Sequence, residues 1–370
     1  MRRMGEEGIP SDVPPDQAIA EKRAQMDGIR SEFRAAQHAE STSLQPPEPP
    51  HRLHHYTTLD GLLGITSTGT LWASDAQYMN DASELRYAAD LISDIVAETL
   101  AAVESDVLRA VLPTRRGFAN AFEYGSRPFI ACFCEEDDLL SQWRGYRAGE
   151  AGYSLGLDLA SAALEMPPNT YLRRVIYDED EQRRSVMKVV DAWVTTAESL
   201  LDEKKGRRPE DLFPYPAIWA LEESLAEHHL CFKHPTFAEE REWRLIKLVD
   251  VREELRLLDD RRTEDMLRTT RERMRELGVE MPETSTAWRE ADAEGIEIRF
   301  RASPLGLVPY VELPLLDRAG VFTGRLPLWQ VVQGPTANPD LSLESLAMYL
   351  DSRGYGFHTQ VKASGIPLRY

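Results

Sequence analysis

The stretch Phe237-Ala-Glu-Glu-Arg-Glu-Trp-Arg-Leu-Ile-Lys-Leu-Val249 opens with acids and ends as an apolar run. From Glu240 onward it fits a β-strand, whose side chains alternate between two faces. That alternation assigns Glu240, Glu242 and Arg244 to one face and Arg241, Trp243 and Leu245 to the other. A half-apolar strand with two carboxylates and a guanidinium in a row needs a ligand or an ion network to satisfy them, because charged groups are seldom buried unpaired. The plainer reading of the same row is a solvated strand face or a short charged helix end.

Working outward, the whole chain of 370 residues carries a net charge of −19, and 42% of its residues are apolar. That apolar share supplies a core, which excludes wholesale disorder. The acidic balance argues against broad nonspecific binding to a nucleic-acid backbone, which takes surplus Lys and Arg. Three cysteines, Cys132, Cys134 and Cys231, are few and odd in number, as suits a reducing compartment without a disulfide framework. The N-terminus leads into no apolar signal segment, and no stretch approaches the length of a membrane span. The expectation is a soluble, cytoplasmic protein with no membrane partner.

Residues 1–50 form a Pro-rich extension with one helical stretch between Gln17 and His38. Pro46-Pro-Glu-Pro-Pro50 marks a linker, so a single main domain is expected over 51–370. His51–Tyr56 reads as a first strand. A helix capped by Thr57 or Thr58 follows, with Leu59, Leu62, Leu63 and Ile65 as its apolar face and Gly69 at its end. Leu71–Ser74 is a second strand, and a long amphipathic helix runs from about Ala82 to Leu112. Further strands are expected at Pro128–Cys134, Gly152–Asp158, Leu172–Tyr177, Ile296–Phe300, Val308–Leu313, Leu328–Gln333 and His358–Ala363. A helix is expected at Leu341–Ser352, and helical insertions at about 179–231 and 252–294. Short strands among irregular helices, without βαβ alternation, indicate an α+β domain.

No Walker loop, dinucleotide Gly fingerprint, HExxH or GxSxG occurs, which removes several enzyme classes. His228-His-Leu-Cys-Phe-Lys-His234 together with Cys132 and Cys134 could supply soft metal ligands. Its spacing is wrong for common zinc sites, and no metal ligands are assigned. His54-His55-Tyr56-Thr57 sits at a strand-to-helix junction, where side chains and helix amides share one mouth able to hold hydroxyls or phosphates. Leu140-Ser-Gln-Trp-Arg-Gly-Tyr146 combines an indole, a phenol and a guanidinium, the groups that stack a flat ring and hold an anion. The plain alternative is a turn that buries Trp143 in the core.

Taken in order, several segments carry a resemblance. They are His55-Tyr-Thr, Gly69-Thr-Leu-Trp-Ala-Ser74, Asn80-Asp81 with Glu84, Cys132-Phe-Cys-Glu135, Gln142-Trp-Arg-Gly-Tyr146, Glu240-Arg-Glu-Trp-Arg244 and Val361–Arg369. The chain resembles the bacterial DUF2971 family across about His51 to Arg369. Many relatives have Asn-Asp-Pro where this chain has Asn80-Asp81-Ala82, and Met-Trp where it has Gln142-Trp143. The layout is also remotely similar to ADP-ribosyltransferases, including DarT-like DNA ADP-ribosyltransferases. That similarity implies a split β core of two small sheets with helical insertions, and NAD as substrate in the cleft between the sheets. It implies His55 as the first-strand residue at the adenosine ribose, Glu242 as the late-strand carboxylate at the nicotinamide ribose, and Glu240 as the group that orients the acceptor. For the aromatic on nicotinamide, Tyr146, Trp143, Trp72 and Tyr78 stay open, and Arg144 is the candidate for the diphosphate. Tyr56, Thr57, Ser74 and Asn80 complete the expected binding residues.

The function expected from this set is an NAD-dependent ADP-ribosyltransferase-like enzyme or NAD glycohydrolase, acting on an unknown protein, nucleic-acid or small-molecule acceptor in phage defence or a stress response. Two alternatives stand beside it: a non-catalytic nucleotide- or protein-binding sensor module, and a metal-dependent hydrolase built on the Cys/His segment. The transferase reading requires His55, Tyr146 and Glu242 to converge on one cleft.

Overall fold

The computed structural model describes residues 28, 31–33, 35–36, 48–79, 82–103, 126–146, 152–159, 161, 164–203, 216–250, 296–303 and 306–367. In chain order the strands are β1 (Leu53–Thr57), β2 (Leu71–Asp75), β3 (Ser126–Cys134), β4 (Tyr153–Leu157), β5 (Leu164–Glu165), β6 (Thr170–Arg174) and β7 (Glu242–Asp250). They continue with β8 (Arg299–Ser303), β9 (Gly306–Leu313), β10 (Leu316–Asp317), β11 (Leu328–Gln333) and β12 (Gln360–Ala363). The helices are α1 (Leu59–Thr68), α2 (Ala82–Ala101), α3 (Leu140–Tyr146), α4 (Glu179–Glu203), α5 (Pro216–Cys231) and α6 (Pro339–Ser352). Residues 252–294, expected as a helical insertion, lie outside the described residues, as do residues 104–112 of the long helix. Among the described residues no helix is long and apolar enough to cross a membrane.

The residues group into two compact units. The smaller takes residues 1–44, 92–118 and 184–227. Its buried side chains include Ile95, Val190, Trp193 and Phe33, whose ring lies 5.5 Å from that of Trp193. The N-terminal extension therefore contributes a core residue, which a Pro-rich linker signal does not announce. The larger unit takes residues 45–91, 119–183 and 228–370 and holds the sheet.

Among the described residues ten strands form one sheet, and β5 and β10 form a separate two-stranded ribbon. Between these named strands the pairings are antiparallel except that of β11 with β12. One continuous sheet thus stands where the resemblance implied two small ones, because β3 pairs along both of its edges. β7 pairs with β3 along nine residues, from Ser126↔Asp250 to Cys134↔Glu242. A strand has two edges, so β1 and β2 must take the other one. β2 pairs there at Ser74↔Ile130 and Asp75↔Phe129, and β1 at His54↔Cys134. Between these points the array forks, and β1 and β2 splay apart with α1 linking them.

One face of the sheet buries the main core. Leu53, Ala131, Phe133, Leu155, Trp243, Leu245, Val311 and Val331 pack there with Leu62 and Ile65 of α1 and Leu346 and Leu350 of α6. α1 starts at Thr58, whose hydroxyl accepts from Gly61 N at 3.2 Å, so Thr58 and not Thr57 is the cap. It ends at Gly69, at φ 69° with its N–H on Ile65 O, as the sequence indicates.

Candidate functional site

The polar row that opens the sequence argument has a different backbone from the one expected. Pro235–Glu240 is a 3₁₀ turn, Arg241 caps it in the left-handed region at φ 41°, and the strand begins only at Glu242. Glu240 is therefore not on β7. Pro at the start of the turn and a residue at positive φ at its end explain the break, since neither belongs to an extended run. Glu242 and Arg244 do share one face, while Trp243 and Leu245 enter the main core on the other.

Glu240 and Glu242 are nonetheless brought together, by a cation. Lys233 Nζ donates to Glu240 Oε2 at 2.6 Å and to Glu242 Oε2 at 3.0 Å, and pairs with Glu84 Oε1 at 2.8 Å. Arg244 donates from Nε to Glu242 Oε1 at 2.7 Å, from Nη2 to Glu84 Oε2 at 2.8 Å, and from Nη1 to the Leu230 carbonyl at 2.7 Å. The Cys132 thiol also donates to Glu242. Burial alone would raise the Glu242 pKa, but the Arg244 and Lys233 charges hold it at about 2. Burial opposes the charge on Lys233 too, and its three carboxylates outweigh that and raise its pKa. Burial dominates at Cys132, where it pushes the thiol well up.

Three carboxylates face two cations, which leaves one surplus negative charge in the group. Glu84, Glu242 and Arg244 are buried; Glu240 keeps partial exposure, and burial raises its pKa despite Lys233. Phe237 lies beneath Lys233 at 5.0 Å, and Tyr177 OH accepts from Glu242 N at 3.0 Å. The group is thus a locked ionic floor with one carboxylate at its rim.

His55 lies on the opposite face of the sheet, its ring 5.7 Å from that of Phe133. Its Nδ1 donates to the Cys132 carbonyl at 2.9 Å, where β3 pairs with neither β1 nor β2 across the fork. Burial lowers its pKa to about 4 against that hydrogen bond, and the charge of Arg301 lowers it further. The ring is therefore neutral at pH 7, with its proton on Nδ1 and a lone pair on Nε2. His55 and Glu242 reach the same residue, Cys132, from opposite faces of the sheet, His55 at its carbonyl and Glu242 at its thiol. Ser74 stands on β2 across the fork and accepts from Arg301 Nη2 at 2.9 Å.

The remaining expected residues divide. Tyr56 is core: its hydroxyl donates to Glu136 O and accepts from Leu139 N, both at 2.9 Å. Trp143 is core as well, edge-on to Tyr56 at 4.7 Å, with its indole N–H on Asp138 Oδ1 at 2.7 Å. Neither ring is placed to stack on a ligand. Thr57 is buried against Gly61. Arg144 is exposed on α3, and Asn80 and the side chain of Tyr146 lie outside the described residues.

The Cys/His segment does not assemble. His229 Nε2 bonds the Leu85 carbonyl at 2.7 Å, His234 Nδ1 meets Thr236 at 2.8 Å, and Cys132 is committed to Glu242. Sequence reasoning missed Lys233 and Arg301. Lys233 is hidden in what reads as a metal motif, and Arg301 lies on a β8 strand that is not apolar.

Fold and site together define a mixed α+β protein with a large, mostly antiparallel sheet and an ionic group beside a fork in it. Residues 142–245 match the family model DUF2971, described as a protein of unknown function, so the chain is similar to that family over this segment. The matched segment includes Trp143, Lys233, Glu242 and Arg244. No curated protein and no solved structure matches the chain.

Proposed function

We propose that the chain is an NAD-dependent ADP-ribosyltransferase-like enzyme, or an NAD glycohydrolase, with its substrate site at the fork between β1 and β2. The observation that carries this reading is the surplus negative charge of the Glu84/Glu240/Glu242 group, with the partly exposed Glu240 at its rim. Breaking the nicotinamide–ribose bond sends the bonding electron pair to the nicotinamide nitrogen and builds positive charge on the ribosyl ring. A fixed negative charge at that ring lowers the barrier. Neutral His55 suits a ribose hydroxyl, which can donate to Nε2. Glu242, neutralised by two cations, acts as the positioning residue for Lys233, and Glu240 at the rim is the carboxylate that faces substrate.

NAD labelled in both halves tests the reading. Nicotinamide release, with or without transfer of the ADP-ribosyl group, is expected from the wild type. Glu240→Gln should lower it by about 10²-fold, the usual scale for removing one charge-stabilising group, with unchanged circular dichroism. Neither release nor transfer across protein, DNA, RNA and small-molecule acceptors would sink it. The saturation of Glu242 by Lys233 and Arg244 favours a second reading, a sensor module that binds a nucleotide without turnover. Calorimetric NAD binding with no nicotinamide release would select that one.

A further inference from the structure

Lys233 meets all three carboxylates of the ionic group, whereas Arg244 meets Glu84 and Glu242. An ammonium has three N–H donors, and here Glu84, Glu240 and Glu242 take them at 2.8, 2.6 and 3.0 Å. The backbone of Lys233 is fixed as well. Its N–H donates to the Ile176 carbonyl at 3.2 Å, and its carbonyl accepts from Gln182 Nε2 at 3.0 Å. Glu84 and Glu242 have a second anchor in Arg244, so the ammonium is held by two locked carboxylates. Glu240 differs, because among the described residues its side chain is bonded to Lys233 alone. With Glu240 left out, two carboxylates face two cations, and the surplus charge of the group is therefore that of Glu240. Lys233 also comes just before the 3₁₀ turn Pro235–Glu240, so the contact closes that turn from its two ends.

We infer that Lys233 is the positioning residue for Glu240, fixing the surplus carboxylate of the group at the substrate rim in its charged form. This rests on the reading of Glu240 as the carboxylate that faces substrate. Most of what surrounds Glu240 opposes its charge: burial first, then Glu242 of β7 and Glu84 of α2, with Lys233 acting against all three. Tyr177, ahead of α4, and Cys134 of β3 face it too and bring no positive charge. Arg241, next in the chain, is exposed and paired with Glu136. A ribosyl ring gaining positive charge is stabilised by a carboxylate and not by a carboxylic acid. The three N–H donors of Lys233 are all taken, so the ammonium acts through Glu240 and not on substrate.

Carbon NMR of carboxyl-labelled glutamates and nicotinamide release from NAD, both followed against pH on the full chain, test this. Lys233→Met is expected to raise the Glu240 titration midpoint by about 1–3 pH units, the usual effect of losing an opposite charge in contact. Glu242, still held by Arg244, should move less. The acid limb of kcat should move up with the Glu240 midpoint while KM for NAD changes little; a merely structural role would lower kcat without moving the limb. Lys233→Met/Glu84→Gln keeps the surplus at one negative charge, and it keeps the test open if the single variant fails to fold. It should shift Glu240 in the same direction. Lys233→Arg, which retains the charge, should restore the midpoint. A Glu240 midpoint unchanged in the Met variants would overturn the inference, and so would faster nicotinamide release by Lys233→Met, which would make Lys233 a restraint on Glu240. A midpoint that depends on Lys233 in a wild type releasing no nicotinamide would uphold the charge-holding role while ending the transferase reading.

Discussion

Glu242 shows how one residue can be legible in kind and not in role. Its side chain accepts from Lys233, Arg244 and Cys132 in a buried setting, so Glu242→Gln leaves two cations with one partner fewer. Breaking a buried ion pair by removing one partner costs about 3–5 kcal/mol. Urea unfolding of Glu242→Gln should show a lower midpoint at unchanged slope; an unchanged midpoint would mean the group is hydrated and weak. The acid limb carries the same information. The folded pKa of about 2 lies below the ordinary 4.5, so the contribution is complete above pH 4.5 and lost as pH falls toward 2. That shift corresponds to about 3 kcal/mol. Glu240, whose folded pKa is raised, works in the opposite direction and softens the upper part of the window.

At the scale of elements, most strands and the α+β class were legible, because apolar alternation bounded by Gly, Pro and polar turns is a local property. β11 was expected and found at Leu328–Gln333, and α1 ended at Gly69 as read. What the sequence could not carry was pairing: that β3 is shared by β1, β2 and β7 depends on contacts far apart in the chain. The order of family segments was read as a catalytic set, yet several of them meet in a structural clasp. Asp138 accepts from Trp143 Nε1 at 2.7 Å, Ser364 Oγ at 2.5 Å and Gly365 N at 2.8 Å, tying α3 to the residues after β12. Hydrogen bonds to a charged acceptor contribute about 1.5–3 kcal/mol each. Asp138→Ala should therefore speed amide exchange in α3 and in residues 364–366 well before it lowers global stability. Uniform exchange across the sheet would show that the clasp is not a local one.

For the molecule as a whole, buried imidazoles set the response to acid. His54 is buried beside Gly156 and Gln330, and burial lowers its pKa to about 4 although Asp137 opposes the shift; Lys362 and Arg52 add to it. His55 is lowered to about 4 as well, with Arg301 facing it. In both cases the folded pKa lies below the ordinary 6.5, so between pH 6.5 and 4 the unfolded chain binds protons that the folded one refuses. Stability must then rise with pH across that window, by about 3 kcal/mol for each histidine in full. General self-repulsion argues the other way, because a net charge of −19 shrinks on acidification and eases the compact state. The two effects are separable by their slope. Urea titrations at half-unit steps should give a folding free energy falling by about 2–3 kcal/mol per pH unit near pH 5, the value for two extra protons on the unfolded chain. His54→Gln and His55→Gln should each halve that slope whatever they do to the absolute stability. A flat or inverted profile between pH 6.5 and 4 would mean that at least one imidazole titrates in the folded protein, and for His55 that would remove the neutral Nε2 acceptor on which the ribose contact depends.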